Sequence, residues 1–195
     1  ISGTTAIVGA YKEDTGGTDA GAAYIFEYDG STWTEVVRIH ASDMTTDDKF
    51  GYSVAISGTT AIVGCHGRDS GTGRACIFEK NGGTWGNEVV GQTYRTETLQ
   101  INASDKQQSD KFGWSVAIDG TTAMVGAHGE DTGVDGAGSV YIFKRGESGW
   151  STTGPTETQK IQANDNDRGS LYNFGYSVAI SGTTAIVGAY KEDTG

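Results

Sequence analysis

Basic residues are scarce in this chain: 14 Lys and Arg stand against 25 Asp and Glu, for a formal net charge of −11. Binding a phosphate backbone needs clustered cations, so this balance argues against a nucleic-acid partner. An acidic surface keeps a protein soluble or attracts cations. No apolar run approaches the roughly 20 residues that a membrane-spanning helix requires. Helical apolar spacing is missing throughout, which also removes the strand-turn-helix context of a phosphate-cradling glycine loop. The chain opens without Met, a basic leader or a cleavage-like segment, so any targeting signal is expected outside the visible sequence. Proline occurs once. What abounds is glycine, 31 residues, with an aromatic content of 10% that is too high for a disordered chain. The composition is that of an ordered, turn-rich, all-β protein.

The first sixteen residues, ISGTTAIVGAYKEDTG, return letter for letter as residues 180–195. Modified copies begin at Ile56 and Ile118, so the starts lie 55, 62 and 62 residues apart. The simplest reading is a period of three repeats and 179 residues, seen through a window slightly longer than one period.

Within a repeat, FGYSVAIS alternates bulky Phe50, Tyr52, Val54 and Ile56 with small residues, a period of two that predicts a strand. Phe112, Trp114, Val116 and Ile118 keep the pattern, as do Phe174, Tyr176, Val178 and Ile180. A Ser-Gly or Asp-Gly turn suits a hairpin needing positive φ. TTAIVGAY then runs small and β-branched, as expected of a strand covered on both faces. A third strand follows with Tyr24, Phe26 and Tyr28 at alternate positions, and a fourth carries Trp33, Val37 and Ile39. Four such strands make a sheet that cannot bury its bulky face alone, so neighbouring repeats must stack. Radial stacking gives blades of β-propeller type. A sandwich is the alternative, but it does not account for near-identical 62-residue units.

The expected architecture is therefore all-β, with tandem four-stranded antiparallel blades of β-propeller type. About three are visible, part of a larger propeller or a continuous array. The divisions are 1–49, a partial blade lacking most of its first strand; 50–111 and 112–173, two blades; and 174–195, the start of the next.

Phe50-Gly51, Phe112-Gly113 and Phe174-Gly175, paired with Gly9-Ala10-Tyr11, Gly64-Cys65-His66, Gly126-Ala127-His128 and Gly188-Ala189-Tyr190, resemble the FG-GAP repeat of integrin-α-like β-propellers. The likeness runs over essentially the whole chain, with YIF and Thr-Trp at constant offsets. It implies an extracellular or cell-surface propeller, closed by about seven blades, that serves adhesion, ligand binding or structural display. The Asp-x-Asp-x-Asp-Gly calcium cage such blades often carry is replaced here by SGTT or DGTT.

Cys65 and Cys76 fall where other repeats have Ala10 with Tyr24 and Ala127 with Tyr141, so both members of a cross-strand pair have changed together. Antiparallel pairing is expected to set them side by side, within reach of a disulfide worth about 3 kcal/mol in the chain-entropy model. Two buried free thiols in a reducing compartment are the alternative. Asn102-Ala103-Ser104 is the only sequon, in a loop expected to be exposed and open to N-glycosylation. The acidic loops, with Asp43, Asp47 and Asp48, Asp105 and Asp110, Asp165 and Asp167, and Glu13, Asp14 and Asp19, lack a complete calcium spacing and read as solvated turns. Neither a metal nor a cofactor is expected. His40, His66 and His128 have no nucleophile motif beside them, and two stand where other repeats have Tyr, so no enzyme is expected. The leading expectation is an extracellular structural protein whose blades self-associate head to tail into an array or fibril, with glycans attached. The alternative is an adhesion or ligand-binding propeller module of a cell-surface protein.

Overall fold

Sixteen short strands make up nearly all the regular structure of this computed structural model, which describes residues 1–131, 136–150, 155–163 and 173–190. β1 (Thr5–Ala10), β2 (Ala22–Tyr28) and β3 (Trp33–His40) form an antiparallel meander, the first blade. β4 (Ser53–Ser57), β5 (Thr60–Cys65), β6 (Arg74–Asn81) and, after three short strands, β10 (Leu99–Ile101) form the second. β11 (Ser115–Asp119), β12 (Thr122–Ala127), β13 (Ser139–Lys144) and β14 (Gln159–Ile161) form the third. β15 (Phe174–Ser181) and β16 (Thr184–Ala189) begin a fourth. Among the described residues no sheet closes on itself. The one helical turn among the described residues, Arg68–Gly71, holds Asp69 and Ser70 at φ 49° and 58°, so it is a tight loop rather than a helix.

The short strands β7 (Thr84–Trp85), β8 (Asn87–Glu88) and β9 (Tyr94–Thr96) depart from the four-strand pattern. β9 leaves its own blade and pairs parallel with β3 of the first, setting Ile39 opposite Arg95, while β8 extends that sheet outward. The cause is local. Gly86, at positive φ directly after β7, turns the chain away from β6, where Thr34 of the first blade continues β3.

Strand periodicity decides which face meets which neighbour. All six residues of β5 are buried. Ala61, Val63 and Cys65, with Cys76 and Phe78 of β6, pack towards Ile25, Ile39 and Ala41 of the first blade. Ile62, Ala75 and Ile77 point the other way, into a core with Phe112, Val125, Tyr141, Phe143 and Trp150 of the third blade. A further core joins Ala117, Met124 and Val140 to Phe174, Val178 and Val187 of the fourth. The apolar cores thus lie between blades. Burying a single Val, Leu or Ile side chain contributes about 1.5–3 kcal/mol, so stability resides in the seams.

Candidate functional site, the repeated seam between blades

Each seam is built from the same backbone contacts. The Phe that opens a blade donates its N–H backwards: Phe50 to the Ala20 carbonyl at 2.9 Å, Phe112 to Thr72 at 3.1 Å and Phe174 to Ala137 at 3.0 Å. These bonds belong to short parallel bridges, Gly21 with Phe50, Gly73 with Phe112 and Gly138 with Phe174. A Cβ on any of those three glycines would lie 2.1 Å from the Phe carbonyl oxygen, and each sits at positive φ, so only glycine fits. Spacing alone does not single these three out among the 31 glycines of the chain. Their signal was a glycine just ahead of every third strand, in DAGAAY, GTGRAC and GAGSVY.

The second glycine set explains the pairing of the two motifs. A Cβ on Gly9, Gly64 or Gly126 would meet the carbonyl oxygen of Gly51, Gly113 or Gly175 in the next blade at 1.9, 1.9 and 2.1 Å. The glycine ending each second strand is therefore in backbone contact with the Phe-Gly of the following repeat. Serine hydroxyls join the same contact, Ser53 Oγ donating to the Gly113 carbonyl at 2.8 Å and Ser115 Oγ to that of Gly175 at 2.7 Å. The hairpin turns link as well. Gly58 N–H donates to Ser2 Oγ at 2.9 Å, Gly120 to Ser57 Oγ at 3.0 Å and Gly182 to Asp119 Oδ2 at 2.6 Å. SGTT and DGTT therefore serve as turn-to-turn links.

Aromatic rings line one edge of the seams without a break. Tyr11 meets Tyr52 at 5.3 Å, Tyr52 meets His66 at 4.3 Å and Trp114 at 4.7 Å, and Trp114 meets His128 at 4.4 Å and Tyr176 at 5.4 Å. Tyr176 reaches Tyr190 at 4.4 Å. Most pairs are tilted or edge-on, the geometry aromatic quadrupoles favour. Here lies the reason His66 and His128 interchange with Tyr: the position supplies a ring to this ladder. Burial, with Lys111 and Lys49 nearby, lowers the His66 pKa to about 4, so it is neutral at pH 7. His40 is fully buried and lies outside the ladder, with Nδ1 3.1 Å from the Gly21 carbonyl.

An aspartate in each of the first two connecting segments ties the seam down, with different chemistry in the two. Asp43 accepts two bonds from Arg74 Nη1, both 2.9 Å, and one from Arg68 Nη2 at 3.0 Å. Burial opposes its ionisation, but the two guanidinium groups bring its pKa below the usual value. Arg68 Nη1 also donates to buried Asp48 at 3.0 Å. In the next segment Asp105 accepts from Tyr141 Oη at 2.8 Å and Lys160 Nζ at 2.6 Å. Strand register makes Cys76 the counterpart of Tyr141, and Gln100 that of Lys160. The second blade has thus lost both of those anchors, and two arginines hold the aspartate instead. Arg68 stands where the third blade has buried Glu130, which accepts from Lys160 Nζ at 2.9 Å. Without a counterpart to Arg68, Asp110 leaves Oδ1 buried with no hydrogen-bond partner. Its pKa rises to about 6, first by burial and then by Glu130, Asp131 and Asp105, against the lowering bond from the Gln107 N–H.

The remaining acidic residues lie in local contacts. Glu13 pairs with Arg38 at 3.4 Å, Asp14 Oδ1 accepts the Asp19 N–H at 2.9 Å, and Lys49 reaches Asp19 at 3.3 Å and Asp47 at 3.6 Å. Among the described residues no three His, Cys, Asp or Glu side chains are placed to hold a metal ion. Asp165 and Asp167 lie outside the described residues.

Cys65 and Cys76 are both buried, as free thiols. Register sets Cys65 opposite Arg74 and Cys76 opposite Val63, so the pair is diagonal rather than side by side, on one face. Cys65 Sγ donates to the Arg74 carbonyl at 3.4 Å. A hydrogen bond to Cys65, reinforced by burial, raises the Cys76 pKa well above its usual value. Asn102 follows β10 in the segment joining the second and third blades and is half-buried, while the sequon's Ser104 donates to Glu157 at 2.5 Å.

The FG-GAP repeat pattern matches residues 1–26, 33–78, 96–143 and 155–195. The chain belongs to the FG-GAP repeat family. No curated protein matches it. The family assignment and the strand topology agree that this is a β-propeller-type repeat module. In this FG-GAP chain the two motif halves are the two sides of one contact, the Phe-Gly of each blade lying on the strand-ending glycine of the blade before. Among the described residues no helix is long and apolar enough to cross a membrane.

Proposed function

We propose that this FG-GAP chain is an extracellular structural protein whose blades continue head to tail into an array or fibril, with no catalytic role. The observation that carries the reading is one seam, made by the same bonds, repeated three times along the chain. Its halves are complementary and unlike each other, so each new blade presents again the surface that received it. Heterologous contacts of that kind propagate unless the rotation closes a ring. FG-GAP repeats are typical of extracellular or surface proteins, and in that setting Cys65 and Cys76, already in contact, close a disulfide within the second blade. Asn102 carries a glycan there. Electron microscopy of native material tests the array, which predicts filaments with an axial period matching one 179-residue unit. Discrete closed particles would contradict it. Mass spectrometry of non-reduced protein tests the disulfide, with the intact Cys65–Cys76 peptide pair lighter by two hydrogens, and Asn102→Gln tests the glycan by loss of its mass.

An adhesion or ligand-binding module is the second reading. The partly exposed Tyr11, Tyr52, Tyr176 and Tyr190 favour it, because their ring edges give a ligand a surface to stack on. Loss of binding in Tyr52→Ala, with the fold unchanged, would support that reading.

A further inference from the structure

Among the three described seams, only the first sets tyrosine against tyrosine. Tyr11 has His66 and His128 as its counterparts in the next two blades, and Tyr52 has Trp114 and Tyr176. The ring pairs that cross the seams are therefore Tyr11 with Tyr52, His66 with Trp114 at 4.6 Å, and His128 with Tyr176 at 5.5 Å. We propose that the Tyr11–Tyr52 contact is a site of oxidative cross-linking, where a one-electron oxidant, such as a haem peroxidase with hydrogen peroxide, couples the two phenols into a dityrosine that locks the first blade to the second. The cross-link rests on the extracellular structural reading, since that setting supplies the oxidant.

Backbone contacts on both sides of the seam hold the two rings together. Gly9, two residues before Tyr11, lies so close to Gly51, the residue before Tyr52, that a Cβ on it would stand 1.9 Å from the Gly51 carbonyl oxygen. The Gly51 N–H donates to the Gly64 carbonyl at 3.1 Å and the Tyr52 N–H to that of Lys49 at 3.1 Å, which fixes Tyr52 at the head of β4. The rings meet at 5.3 Å between centroids with their planes 68° apart, so the edge of one lies against the face of the other. Placement of this kind turns a bimolecular coupling into an intramolecular one, with a large gain in rate. Tyr52 also touches Trp114 at 4.7 Å, so an oxidising equivalent captured at Trp114 has a ring-to-ring route to the pair.

Phenols that carry a substituent opposite the hydroxyl couple at the ring carbons beside it. Burial first, then Tyr176 and Tyr11, raise the Tyr52 pKa, so this phenol keeps its proton at pH 7 and releases it with the electron. Each ring gives up one electron and one proton. One Cε of Tyr11 then bonds to one Cε of Tyr52, and the hydrogen on each of those carbons moves to the phenol oxygen, restoring both aromatic rings and both hydroxyls. The two electrons and two protons reduce hydrogen peroxide to two waters. The other tyrosine–tyrosine contact among the described residues, Tyr176 with Tyr190 at 4.4 Å, lies across the β15–β16 hairpin of one blade, so coupling there leaves the seams open.

The test is oxidation of the full chain, at high dilution, by a haem peroxidase and hydrogen peroxide, followed by tryptic digestion and mass spectrometry. The peptide ending at Lys12 is expected joined to the one ending at Arg68, lighter than their sum by two hydrogens, in protein that still runs as a monomer. Tyr52→Phe keeps a ring in the ladder and removes the phenol, so it is expected to fold as wild type does and to lose the joined pair. A cross-link between residues 11 and 52 restricts the unfolded chain, so oxidation is expected to raise the urea midpoint of wild type above that of oxidised Tyr52→Phe. Coupling only between molecules, or a Tyr176–Tyr190 product without the Tyr11–Tyr52 one, overturns the site. A joined pair that leaves the midpoint unmoved overturns the lock. Native filaments without the joined pair remove the cross-link and leave the array standing, whereas the joined pair in discrete closed particles removes the array and leaves the cross-link.

Discussion

Three copies of one strand sit in three environments. In β5, TAIVGC, every residue is buried; in β1 and β16, both TAIVGA, none is. Val63 is fully buried and its equivalent Val8 is 52% exposed, while Ile62 is fully buried and Ile186 is 70% exposed. The sequence is shared but for the last residue, while β5 is paired with both β4 and β6, β1 with β2 and β16 with β15, so the difference comes from neighbouring strands and from the blades on either side. A blade of this protein is therefore a surface awaiting a neighbour, and the seam is the unit of stability.

The largest effect that would break this comparison belongs to the glycine contact. Gly64→Ala drives a Cβ against the Gly113 carbonyl at 1.9 Å, whereas at Gly188 the nearest atom is the rotatable Ser177 hydroxyl at 2.4 Å. Chemical denaturation should show Gly64→Ala losing about 3 kcal/mol or more and Gly188→Ala under about 1 kcal/mol. Equal losses would mean that the glycine serves its own strand and not the seam. Next come the isoleucines. Ile62→Ala should cost about 2–5 kcal/mol, as buried truncations do, and Ile186→Ala less than about 0.5 kcal/mol in dilute monomer.

A smaller effect separates the two connecting segments. Arg68→Met leaves Asp48 buried without its cation and Asp43 with one guanidinium fewer, and thermal or urea melts should register about 3 kcal/mol. The corresponding Glu130 environment already lacks that cation, which makes Asp110 the complementary probe. Its folded pKa, about 6, lies above the ordinary carboxylate value of 3.8, so the folded state holds the extra proton between those pH values. Its contribution to stability is full below about 4 and lost as pH rises through about 6. Asp110→Asn should therefore gain stability relative to wild type at pH 7–8, and the gain should vanish near pH 4. A pH-independent difference in urea midpoints would show that Asp110 is not the titrating group. His66 acts in the opposite sense over an overlapping range. It is neutral when folded, so stability present above pH 6.5 falls as pH drops through about 4, and His66→Tyr should remove that acid limb.

Much of this architecture was legible because strand physics leaves a short period. Phe50, Tyr52, Val54 and Ile56 announced a two-faced strand, and the unbroken TTAIVG run announced one buried on both sides, as β5 is. The pairing of Phe-Gly with the strand-ending glycine was visible as a motif, but not as a contact, because spacing alone does not say which blade each half touches. Gly21, Gly73 and Gly138 were missed among 31 glycines since composition hides which ones face a neighbouring carbonyl. The parallel addition of β9 to β3 depends on the turn at Gly86 and a partner in another blade, a non-local choice that no local period encodes. Cys65 and Cys76 were recognised as a covarying pair, yet their diagonal offset required the register. The same holds for the exchange of Tyr141 and Lys160 for Cys76 and Gln100. It makes sense only once Arg68 and Arg74 are seen on Asp43.

Amide hydrogen exchange on dilute, monomeric protein, resolved strand by strand, tests the central claim most directly. If seams carry the stability, the β5 amides bonded to β4 exchange only through global unfolding, and the equivalent β16 amides bonded to β15 exchange at least about 100-fold faster. Matching protection of these amides in β5 and β16 would show that the first hairpin of a blade is stable without its seams and would contradict the account.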